Sequence, residues 1–225
     1  MKDIGIFEGE RAKNYDQFVR SWIPSYNTLL SCLPNLLDMV QASEVKNVLV
    51  VGSGTGNELL SLVKTRPKWQ FLGVDPSADM NVQAQEKLAA FPNVKLREGY
   101  VNDLPIAPKF QAATLLLVLH FLDDDGSKLA LLKGIADRME QGATFVLADI
   151  FGKKEGFTTR LDILRTMFPP NFLAEDLQER LDRIRDHIQY IPETRLAELF
   201  EAAGFTPPTR FFQMAIWGAW VSTKR

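Results

Sequence analysis

The fold is decided by one stretch, Val48-Leu49-Val50-Val51-Gly52-Ser53-Gly54-Thr55-Gly56-Asn57-Glu58-Leu59-Leu60. It begins as an apolar, mostly β-branched run, which predicts a buried strand. Three glycines follow at alternate positions, and a helical pattern begins after them. Glycines at such a turn let the backbone bend sharply and let a ligand approach peptide N–H groups at a helix N-terminus. The stretch therefore predicts a strand, a ligand-binding loop and a helix.

The spacing of the glycines distinguishes this Gly-x-Gly-x-Gly loop from a dinucleotide-binding loop. A dinucleotide-binding loop has its third glycine at the position that Asn57 occupies here. The chain also lacks a Tyr-x-x-x-Lys set, so an NAD-dependent oxidoreductase is disfavoured. We predict instead that the residues of a Gly-x-Gly-x-Gly loop bind a cofactor: Gly52, Ser53, Gly54 and Gly56. A glycine turn with a purely structural role is the alternative.

The composition is that of an ordinary globular protein. Of 225 residues, 46% are hydrophobic and 24% are charged, and the formal net charge is −2. These values fit one α/β domain with a sizeable core. Acidic and basic residues are mixed along the chain, whereas a nucleic-acid surface needs concentrated lysine and arginine. We therefore expect no nucleic-acid partner.

The cysteine count and the apolar runs limit the class of protein further. Cys32 is the only cysteine, so neither an intrachain disulfide nor a cysteine zinc cluster is possible. Residues 1–10 lack the apolar core of a signal peptide, and the longest apolar run, 112–122, is too short to span a bilayer. His120 and His187 are the only histidines, which leaves few soft ligands for a transition metal. We expect a soluble, cytoplasmic protein without a metal and without membrane contact.

Short apolar runs alternate with helical patterns in the middle of the chain. Five apolar runs predict strands at 45–51, 70–74, 94–97, 113–119 and 143–150. Gln141-Gly142 predicts a turn before the last of them. Two aromatic-rich runs near the C-terminus predict an antiparallel hairpin at 209–215 and 217–223. We predict an α/β fold with a Rossmann-like, doubly wound, seven-stranded sheet. It should be mostly parallel, with an antiparallel C-terminal hairpin.

A helical segment precedes the first predicted strand. Residues 10–20 predict an amphipathic helix, and residues 26–40 predict a second helix. Proline removes a helical hydrogen bond, so Pro34 should kink or divide that second helix. We predict that residues 1–42 form a helical cap over the sheet.

A second helical segment follows the fifth predicted strand. Residues 153–190 carry many charges with interspersed apolar residues, and a turn at 168–171 divides them into two predicted helices. We predict that this insertion forms a lid over the substrate. The chain as a whole, residues 1–225, is predicted to be a single domain.

Polar side chains follow the predicted strands, at the edge of the sheet where parallel α/β folds bind ligands. Asp75 ends the second strand, about twenty residues after the glycine loop, where a carboxylate can accept both hydroxyls of a ribose. A role as a helix cap beside Pro76 is the alternative. Pro76 and Met80 are candidates to flank an adenine, although a methionine at helical spacing is also typical of a core.

Two further polar residues follow the fourth and fifth strands. His120 is a candidate general base or pocket-lining residue, and Asp149 has the same standing. A structural histidine at the end of an apolar strand is the alternative for His120. The run Asp123-Asp124-Asp125 predicts a solvated helix cap and not a metal site.

The whole chain resembles the class I S-adenosylmethionine (SAM) dependent methyltransferases of the small-molecule type. The resemblance rests on motifs spread along the chain: 48–56, 71–77 (Phe-Leu-Gly-Val-Asp-Pro-Ser), 115–122 (Leu-Leu-Leu-Val-Leu-His-Phe-Leu), 199–205 (Leu-Phe-Glu-Ala-Ala-Gly-Phe) and the aromatic hairpin. It implies that SAM is the cofactor and that the fold is a Rossmann-like SAM-binding domain. It also implies a small-molecule substrate.

Within the family, the nearest resemblance is to the subgroup that contains carboxy-SAM synthase, which makes a tRNA-modification cofactor from SAM and prephenate. The segment Ser21-Trp22-Ile23-Pro24-Ser25-Tyr26 is similar to the N-terminal Pro-Gly-Tyr segment of that subgroup. The resemblance implies that Tyr26 covers the bound SAM. We expect the substrate to lie beneath the N-terminal helices, near Tyr15 and Trp22.

Three positions depart from the family pattern. The acidic residue that helps to hold the methionine amine is Val50 here, and the aspartate expected at the adenine is Tyr100. Tyr100 and Val101 are therefore the candidates for contact with the adenine. The arginine that carboxy-SAM synthase requires in its C-terminal helix is Leu199 here, with Arg195 one turn away. Carboxy-SAM synthesis is therefore disfavoured.

The predicted function is transfer of a methyl group from SAM to a small-molecule acceptor by in-line displacement. In such a reaction the protein mainly orients the reactants and excludes water, and His120 or Asp149 would take the proton of a hydroxyl acceptor. A SAM-binding module without catalysis is the alternative that Val50 and Tyr100 suggest. A carboxy-SAM-type transferase linked to tRNA wobble uridine modification is a third. The oligomeric state is open, with a homodimer as one option.

Overall fold

A computed structural model describes residues 7–40, 43–168 and 174–225. Residues 1–6 and 41–42 of the predicted cap, and 169–171 of the predicted turn, lie outside the described residues. Within the described ranges, strands form one sheet: β1 (Asn47–Val51), β2 (Gln70–Asp75), β3 (Val94–Glu98), β4 (Phe110–Leu116), β5 (Met139–Ile150), β6 (Thr209–Met214) and β7 (Trp217–Thr223).

The strands lie in the order β3-β2-β1-β4-β5-β7-β6. Strands β1 to β5 are parallel, and β7 is antiparallel to both of its neighbours. The predicted Rossmann-like sheet with an antiparallel C-terminal hairpin is confirmed. The strand order reverses between β1 and β4, and ligands bind in such folds at the carboxyl ends of the strands beside this point.

Helices cover both faces of the sheet within the described residues: α1 (Gly9–Lys13), α2 (Tyr15–Trp22), α3 (Tyr26–Leu36), α4 (Asn57–Thr65), α5 (Ala78–Leu88), α6 (Ser127–Ala136), α7 (Phe157–Thr166), α8 (Ala174–His187) and α9 (Glu193–Ala202). Short 3₁₀ turns at Val101–Asp103 and Leu119–Phe121 follow β3 and β4. No helix in the described ranges is both long and apolar enough to cross a membrane.

Both faces of β1 are buried, which explains its continuous apolar sequence. Val48 and Val50 pack in one core with residues of α3, α4 and α7. Leu49 and Val51 pack in a second core with residues of α6 and α9. The first core lies beneath α2 and α3, so the predicted cap helices lie on the same side of the sheet as α4.

The fourth predicted strand, at 113–119, was wrong at both ends. Strand β4 ends at Leu116, because the backbone turns at Leu117, where φ is +60°. The N–H of Leu117 donates to Ala148 O over 2.7 Å. His120 therefore lies in a 3₁₀ turn and not directly after a strand.

The predicted turn at 141–142 is also wrong. Both residues lie within β5, which begins at Met139. Gly142 has a φ of +79°, and the pairing of β4 with β5 shifts its register beside it. The extra residues form an irregularity of the β-bulge kind, so the strand continues where the Gln-Gly pair predicted a break.

Two boundaries in the predicted cap differ from the structure. The helix predicted over 10–20 is two helices, which meet at Asn14, whose φ and ψ are −92° and 3°. Pro34 lies inside α3 without dividing it. The helix nevertheless ends at Leu36, four residues earlier than predicted, within one turn of the missing proline N–H.

Candidate active site

The glycine loop is tied to the end of β2 by a row of hydrogen bonds. The N–H groups of Gly52 and Ser53 both donate to Val74 O, over 2.8 and 3.2 Å. The N–H of Gly54 donates to Asp75 Oδ2 over 2.8 Å. These bonds hold the loop in one defined shape over the carboxyl ends of β1 and β2.

The same bonds correct the expectation of free N–H groups in the loop. The N–H groups of Gly52, Ser53 and Gly54 are used by β2, and that of Gly56 donates to Ser53 O over 2.9 Å. A phosphate that binds at a glycine loop needs such donors. The loop is therefore poorly suited to a pyrophosphate, in agreement with the glycine spacing.

Gly52 and Gly56 are two positions at which the loop requires glycine. Their φ angles are +70° and +79°, which residues with a Cβ rarely adopt. A Cβ at Gly52 would lie 2.3 Å from a methyl carbon of Val118, and one at Gly56 would lie 2.8 Å from a methyl carbon of Leu88. The loop is thus enclosed between the end of β4 and α5.

Asp75 is a buried carboxylate that joins the loop to the start of α5. Its Oδ1 accepts the N–H of Ser77 over 2.9 Å, and the Ser77 hydroxyl caps α5 by accepting the N–H of Met80 over 3.1 Å. Burial raises the pKa of Asp75, and the N–H donors of Ser77 and Gly54 oppose the rise. Each carboxylate oxygen keeps a lone pair for another donor. Met80 is buried, and Pro76 is half-buried.

A second buried carboxyl, not predicted from the sequence, lies in the first turn of α4. The Glu58 side chain is 5% exposed, and its Oε1 makes no hydrogen bond with any described residue. Burial raises the pKa of Glu58 to about 7, and only the nearby Thr114 hydroxyl opposes the rise. The charge of Glu58 also acts on the phenols of Tyr15 and Tyr26. The carboxyl therefore lies between the sheet and the cap helices.

Helix α2 is fastened to the glycine loop by a polar network. The Asp16 carboxylate accepts hydrogen bonds from the Thr55 hydroxyl, the Asn57 amide and the Lys87 ammonium group over 2.5, 2.7 and 2.6 Å. Arg20, one turn further along α2, donates to Asn57 Oδ1 over 3.1 Å. Asn57, at the position of the missing third glycine, thus has a side chain that binds the cap to the loop.

The predicted site residues Tyr15 and Tyr26 both belong to the cap. Tyr15 faces the loop, because its Cε1 atom lies 4.0 Å from where a Cβ of Gly54 would be. The Tyr15 ring also meets the edge of Phe7, with 5.2 Å between ring centroids. Tyr26 is 6% exposed, and the Arg20 guanidinium lies 5.8 Å from its ring centroid.

Trp22 connects the cap to the insertion. Its ring lies 4.8 Å from that of Phe168, just after α7. The guanidinium of Arg180, on α8, lies 5.2 Å from the Trp22 ring and 4.8 Å from the Phe18 ring. Trp22 is 3% exposed, so the structure places it in the contact between α2 and the two helices of the insertion.

His120 and Asp149 form a buried pair. His120 Nδ1 lies 2.5 Å from Asp149 Oδ1, and the backbone N–H of His120 donates to Asp149 Oδ2 over 3.2 Å. Since Nδ1 is bound to the carboxylate, Nε2 is the ring nitrogen left to exchange a proton. The pair lines a small cavity together with Lys128, Gln189 and Trp220.

Lys128 fixes the turn that carries His120. Its buried ammonium donates to Leu119 O over 2.6 Å and to Gln189 O over 2.8 Å. Burial lowers the pKa of Lys128, and the nearby carboxylate of Asp149 opposes this shift. The lysine therefore holds the 3₁₀ turn to the segment that follows α8.

The structure does not bring the His120–Asp149 pair into contact with the three aromatic site residues of the cap, as far as the described residues extend. Phe7 lies between the two groups. Its ring contacts Tyr15 on one side and Phe121 on the other, with centroid separations of 5.2 and 5.9 Å. The Phe121 ring in turn lies 4.0 Å from the imidazole of His120.

The two residues predicted at an adenine have different environments. The N–H of Gly99 donates to Asp75 O over 3.0 Å, which places Tyr100 beside the end of β2. Tyr100 is 48% exposed, whereas Val101 is 2% exposed and packs in the second core. Tyr100 therefore has a free ring surface near Asp75.

A family model described as a methyltransferase domain matches residues 26–208. The chain belongs to this methyltransferase domain family. The matched range includes the glycine loop, Asp75, Glu58, His120 and Asp149.

Known relatives agree with this assignment. An uncharacterized methyltransferase of Geobacillus kaustophilus is 28% identical over 205 residues, which cover 90% of this chain and 88% of the relative. The carboxy-S-adenosyl-L-methionine synthase of Dichelobacter nodosus is 23% identical over 226 residues, which cover 97% and 92%. The carboxy-SAM subgroup is thus supported only weakly.

Solved structures support the fold. The S-adenosylmethionine-dependent methyltransferase SibL, in its apo form, matches with a TM-score of 0.68 at 15% sequence identity. The match covers 96% of this chain and 60% of SibL. This methyltransferase therefore spans about three fifths of the length of that solved protein.

One signal in the methyltransferase sequence could have revealed Glu58. Leu59, Leu62 and Val63 form the buried side of α4, and Glu58 is buried with them. A glutamate in the first turn of a helix is ordinarily explained by its favourable interaction with the helix dipole. For this reason the position of Glu58 on the buried side of α4 does not stand out in the sequence. Asp16 and Lys87 carry no local signal, since they are 71 positions apart in the sequence.

We expect Glu58→Gln to stabilise the ligand-free methyltransferase by an amount that grows with pH. The ordinary pKa of 4.5 applies in the unfolded chain and a pKa of about 7 in the folded protein, so wild-type stability falls as the pH rises between these values. The glutamine variant has no carboxyl to ionise at this position, so its stability should not fall in this way. It should be more stable than wild type by roughly 3 kcal/mol at pH 8, but by less than about 1 kcal/mol at pH 5.

Urea unfolding of both proteins at the two pH values measures this difference. Glu86→Gln, on the exposed side of α5, is the matched control and should change stability little at either pH. Equal stabilisation by Glu58→Gln at both pH values would contradict a titrating buried carboxyl.

Proposed function

We propose that this methyltransferase transfers the methyl group of SAM to a small-molecule acceptor. The observation that carries the proposal is the charge of the glycine loop. Two buried carboxyls, Asp75 and Glu58, lie on either side of it, while the N–H groups of its three glycines and of Ser53 are bound within the protein. SAM has a ribose diol, a sulfonium and an ammonium group but no phosphate, so it suits such a loop better than a dinucleotide does.

The residues of the loop edge fit this cofactor. Asp75 has lone pairs left for the ribose hydroxyls, and Gly52, Ser53, Gly54 and Gly56 form the surface beneath. Pro76, Met80, Tyr100 and Val101 are assigned to the adenine side. Tyr26 and Tyr15 would cover the cofactor from the cap. When bound, SAM supplies a methyl group on a sulfonium that needs no further activation.

The acceptor is proposed to bind between the cap and the insertion. Trp22 and Phe168 pack together at 4.8 Å, which supports a space closed above the sheet rather than an open groove. Such a space fits a small molecule better than a nucleic acid or a protein. Tyr15 and Trp22 are assigned to the acceptor side, where they would exclude water and orient the reactants.

His120 is proposed as the general base for a hydroxyl acceptor. Its Nδ1 is bound to Asp149 at 2.5 Å, so Nε2 would take the acceptor proton. The carboxylate of Asp149 would keep the ring in the required tautomer and stabilise the imidazolium that forms. Lys128, through its bonds to Leu119 O and Gln189 O, would keep the turn in place.

Carboxy-SAM synthesis is less well supported. Leu199 is 1% exposed and belongs to the second core. Arg195, the other candidate, is bound to Asp124 and Glu198, each over 2.8 Å. Neither residue offers a free cation to a second carboxylate. The alternative is a protein that binds SAM without catalysis. A measurement of methyl-transfer turnover distinguishes such a protein from an enzyme.

Calorimetric titration tests the cofactor assignment. We expect SAM and S-adenosylhomocysteine to bind with micromolar dissociation constants, because both bring the diol and the ammonium group to the loop. NAD is the control and should not bind. Binding of NAD without binding of SAM or S-adenosylhomocysteine would contradict the proposal, and binding of SAM without turnover in an acceptor screen would favour the non-catalytic module.

His120→Ala should lower turnover by about 10² to 10⁴-fold, the usual contribution of a general base, with little change in SAM affinity. The rate is measured as S-adenosylhomocysteine release with a hydroxyl acceptor identified by the screen. His187→Ala, at an exposed position, is the matched control and should retain full activity. An unchanged rate in His120→Ala would remove this residue from the mechanism.

A further inference from the structure

Glu58 differs from the other buried charged residues of the described chain. Five of these residues make hydrogen bonds: Lys46, Asp75, Lys128, Arg138 and Asp149. Glu58 Oε1 makes none. A buried ionised carboxyl without a partner is strongly unfavourable, so Glu58 is the buried charged group that has an oxygen free to receive a ligand, as far as the described residues show.

The position of Glu58 is defined by its neighbour on the sheet. The Thr114 hydroxyl, which acts on the Glu58 carboxyl, belongs to β4, and Thr114 pairs in register with Val50 of β1. Asp75 ends β2, on the other side of β1. The two carboxyls therefore flank the glycine loop from opposite sides, above the strand that carries it.

Within the described part of the chain, the surroundings of Glu58 contain polar atoms but no free cation. The Ser53 hydroxyl, in the loop itself, is buried without a hydrogen-bond partner among the described residues. The charge of Glu58 acts on the phenols of Tyr15 on α2 and Tyr26 on α3, and burial raises the pKa of each phenol above its ordinary value. The charges of Asp75, Asp16 and Arg11 also act on Tyr15, and that of Arg20 on Tyr26. Both phenols are therefore neutral near neutral pH. The Arg20 guanidinium is bound to Asn27 and Asn57.

We propose that Glu58 binds the α-ammonium group of the methionine moiety of SAM and thereby positions the amino-acid end of the cofactor. The inference rests on the proposed function. A ligand whose ribose lies at Asp75 and whose chain crosses the loop brings its amino acid to the Glu58 side. Val50, in strand β1, has no charge that could bind the ammonium group. The carboxylate that binds it is therefore supplied by Glu58 of helix α4.

The proposal links binding to pH. Only the ionised carboxylate attracts the ammonium group strongly, and with its pKa at about 7 Glu58 is mostly protonated at pH 6 and mostly ionised at pH 7.5. An α-amino group is still largely protonated at pH 7.5. The affinity for a ligand with the ammonium group should therefore rise between these pH values.

Two probes separate the ammonium group from the rest of the ligand. S-Adenosylhomocysteine carries it, and 5′-methylthioadenosine lacks the whole amino-acid moiety but keeps the adenosine. From pH 6 to pH 7.5 we expect wild type to bind S-adenosylhomocysteine about eightfold more tightly, with less than about a threefold change for methylthioadenosine. Any titration of Asp75 affects both probes, since both contain the ribose. Calorimetry measures all four dissociation constants.

Glu58→Gln tests the residue itself. At pH 7.5 the variant should bind S-adenosylhomocysteine at least about tenfold more weakly and lose the pH dependence. It should bind methylthioadenosine within about threefold of wild type, which also shows that its site is folded. Glu86→Gln should bind both probes as wild type does.

Three results would overturn the proposal. Unchanged binding of S-adenosylhomocysteine by Glu58→Gln would mean that the carboxyl has another partner. An equal loss of both probes would assign Glu58 a structural role in the loop. If wild type binds neither probe, the proposed function itself fails and the inference with it, which distinguishes that failure from the other two.

Discussion

The hydrogen bond from the Gly54 N–H to Asp75 Oδ2, 2.8 Å long, is the interaction on which the site depends. It turns the glycine loop towards β2 and away from the solvent, and the bonds from Gly52 and Ser53 to Val74 O reinforce it. The loop then has a fixed shape before any ligand arrives, so binding does not have to order it. The cost is that the N–H groups of Gly52, Ser53 and Gly54 are no longer available to an anion.

This constraint connects the charge of the site to its chemistry. The N–H groups of the three loop glycines and of Ser53 are bound within the protein. Bordered by Asp75 and Glu58, such a loop favours cationic groups over phosphates. The same burial that makes Glu58 attractive to an ammonium group makes it unfavourable in the ligand-free protein. The buried carboxyl of Glu58 thus lowers the stability of the ligand-free protein, and the same burial would strengthen its binding of an ammonium group.

The cap completes the site from the other side. The Asp16 carboxylate holds the loop through Thr55 and Asn57, so α2 lies against the loop that the cofactor is proposed to occupy. Trp22 continues the contact to Phe168 and Arg180 of the insertion. The two helical segments outside the sheet, which are far apart in the sequence, are therefore in contact. We propose that together they cover the carboxyl ends of the strands.

Much of the fold follows from local sequence patterns. Apolar runs between turns predicted the seven strands of the described sheet, including the two of the C-terminal hairpin. Buried strands are predictable in this way because their residues are apolar. The failures are tertiary in origin. Strand β4 ends before Leu117, which has a left-handed conformation that a sequence without a glycine at that position does not predict. Gly142 lies in a bulge of β5 and not in a turn.

Spacing in the sequence explains why the glycine loop and Asp75 lie at the same edge of the sheet. The glycine loop and Asp75 are separated by a fixed βα unit, and the structure brings them into direct contact. Glu58 was not predicted, because a glutamate in a first helical turn is normally solvated. The Asp16–Lys87 ion pair, at 2.6 Å, joins segments that only the folded chain brings together, so no pattern in the sequence could reveal it.

A crystal structure of the protein with S-adenosylhomocysteine would test the proposed cofactor site. We expect the ribose hydroxyls at the Asp75 carboxylate, the homocysteine chain across Gly52–Gly56, and the ammonium nitrogen within hydrogen-bonding distance, about 3 Å, of a Glu58 oxygen. Density for the ligand elsewhere, or with its amino-acid end turned away from α4, would show that the two buried carboxyls do not define the cofactor site.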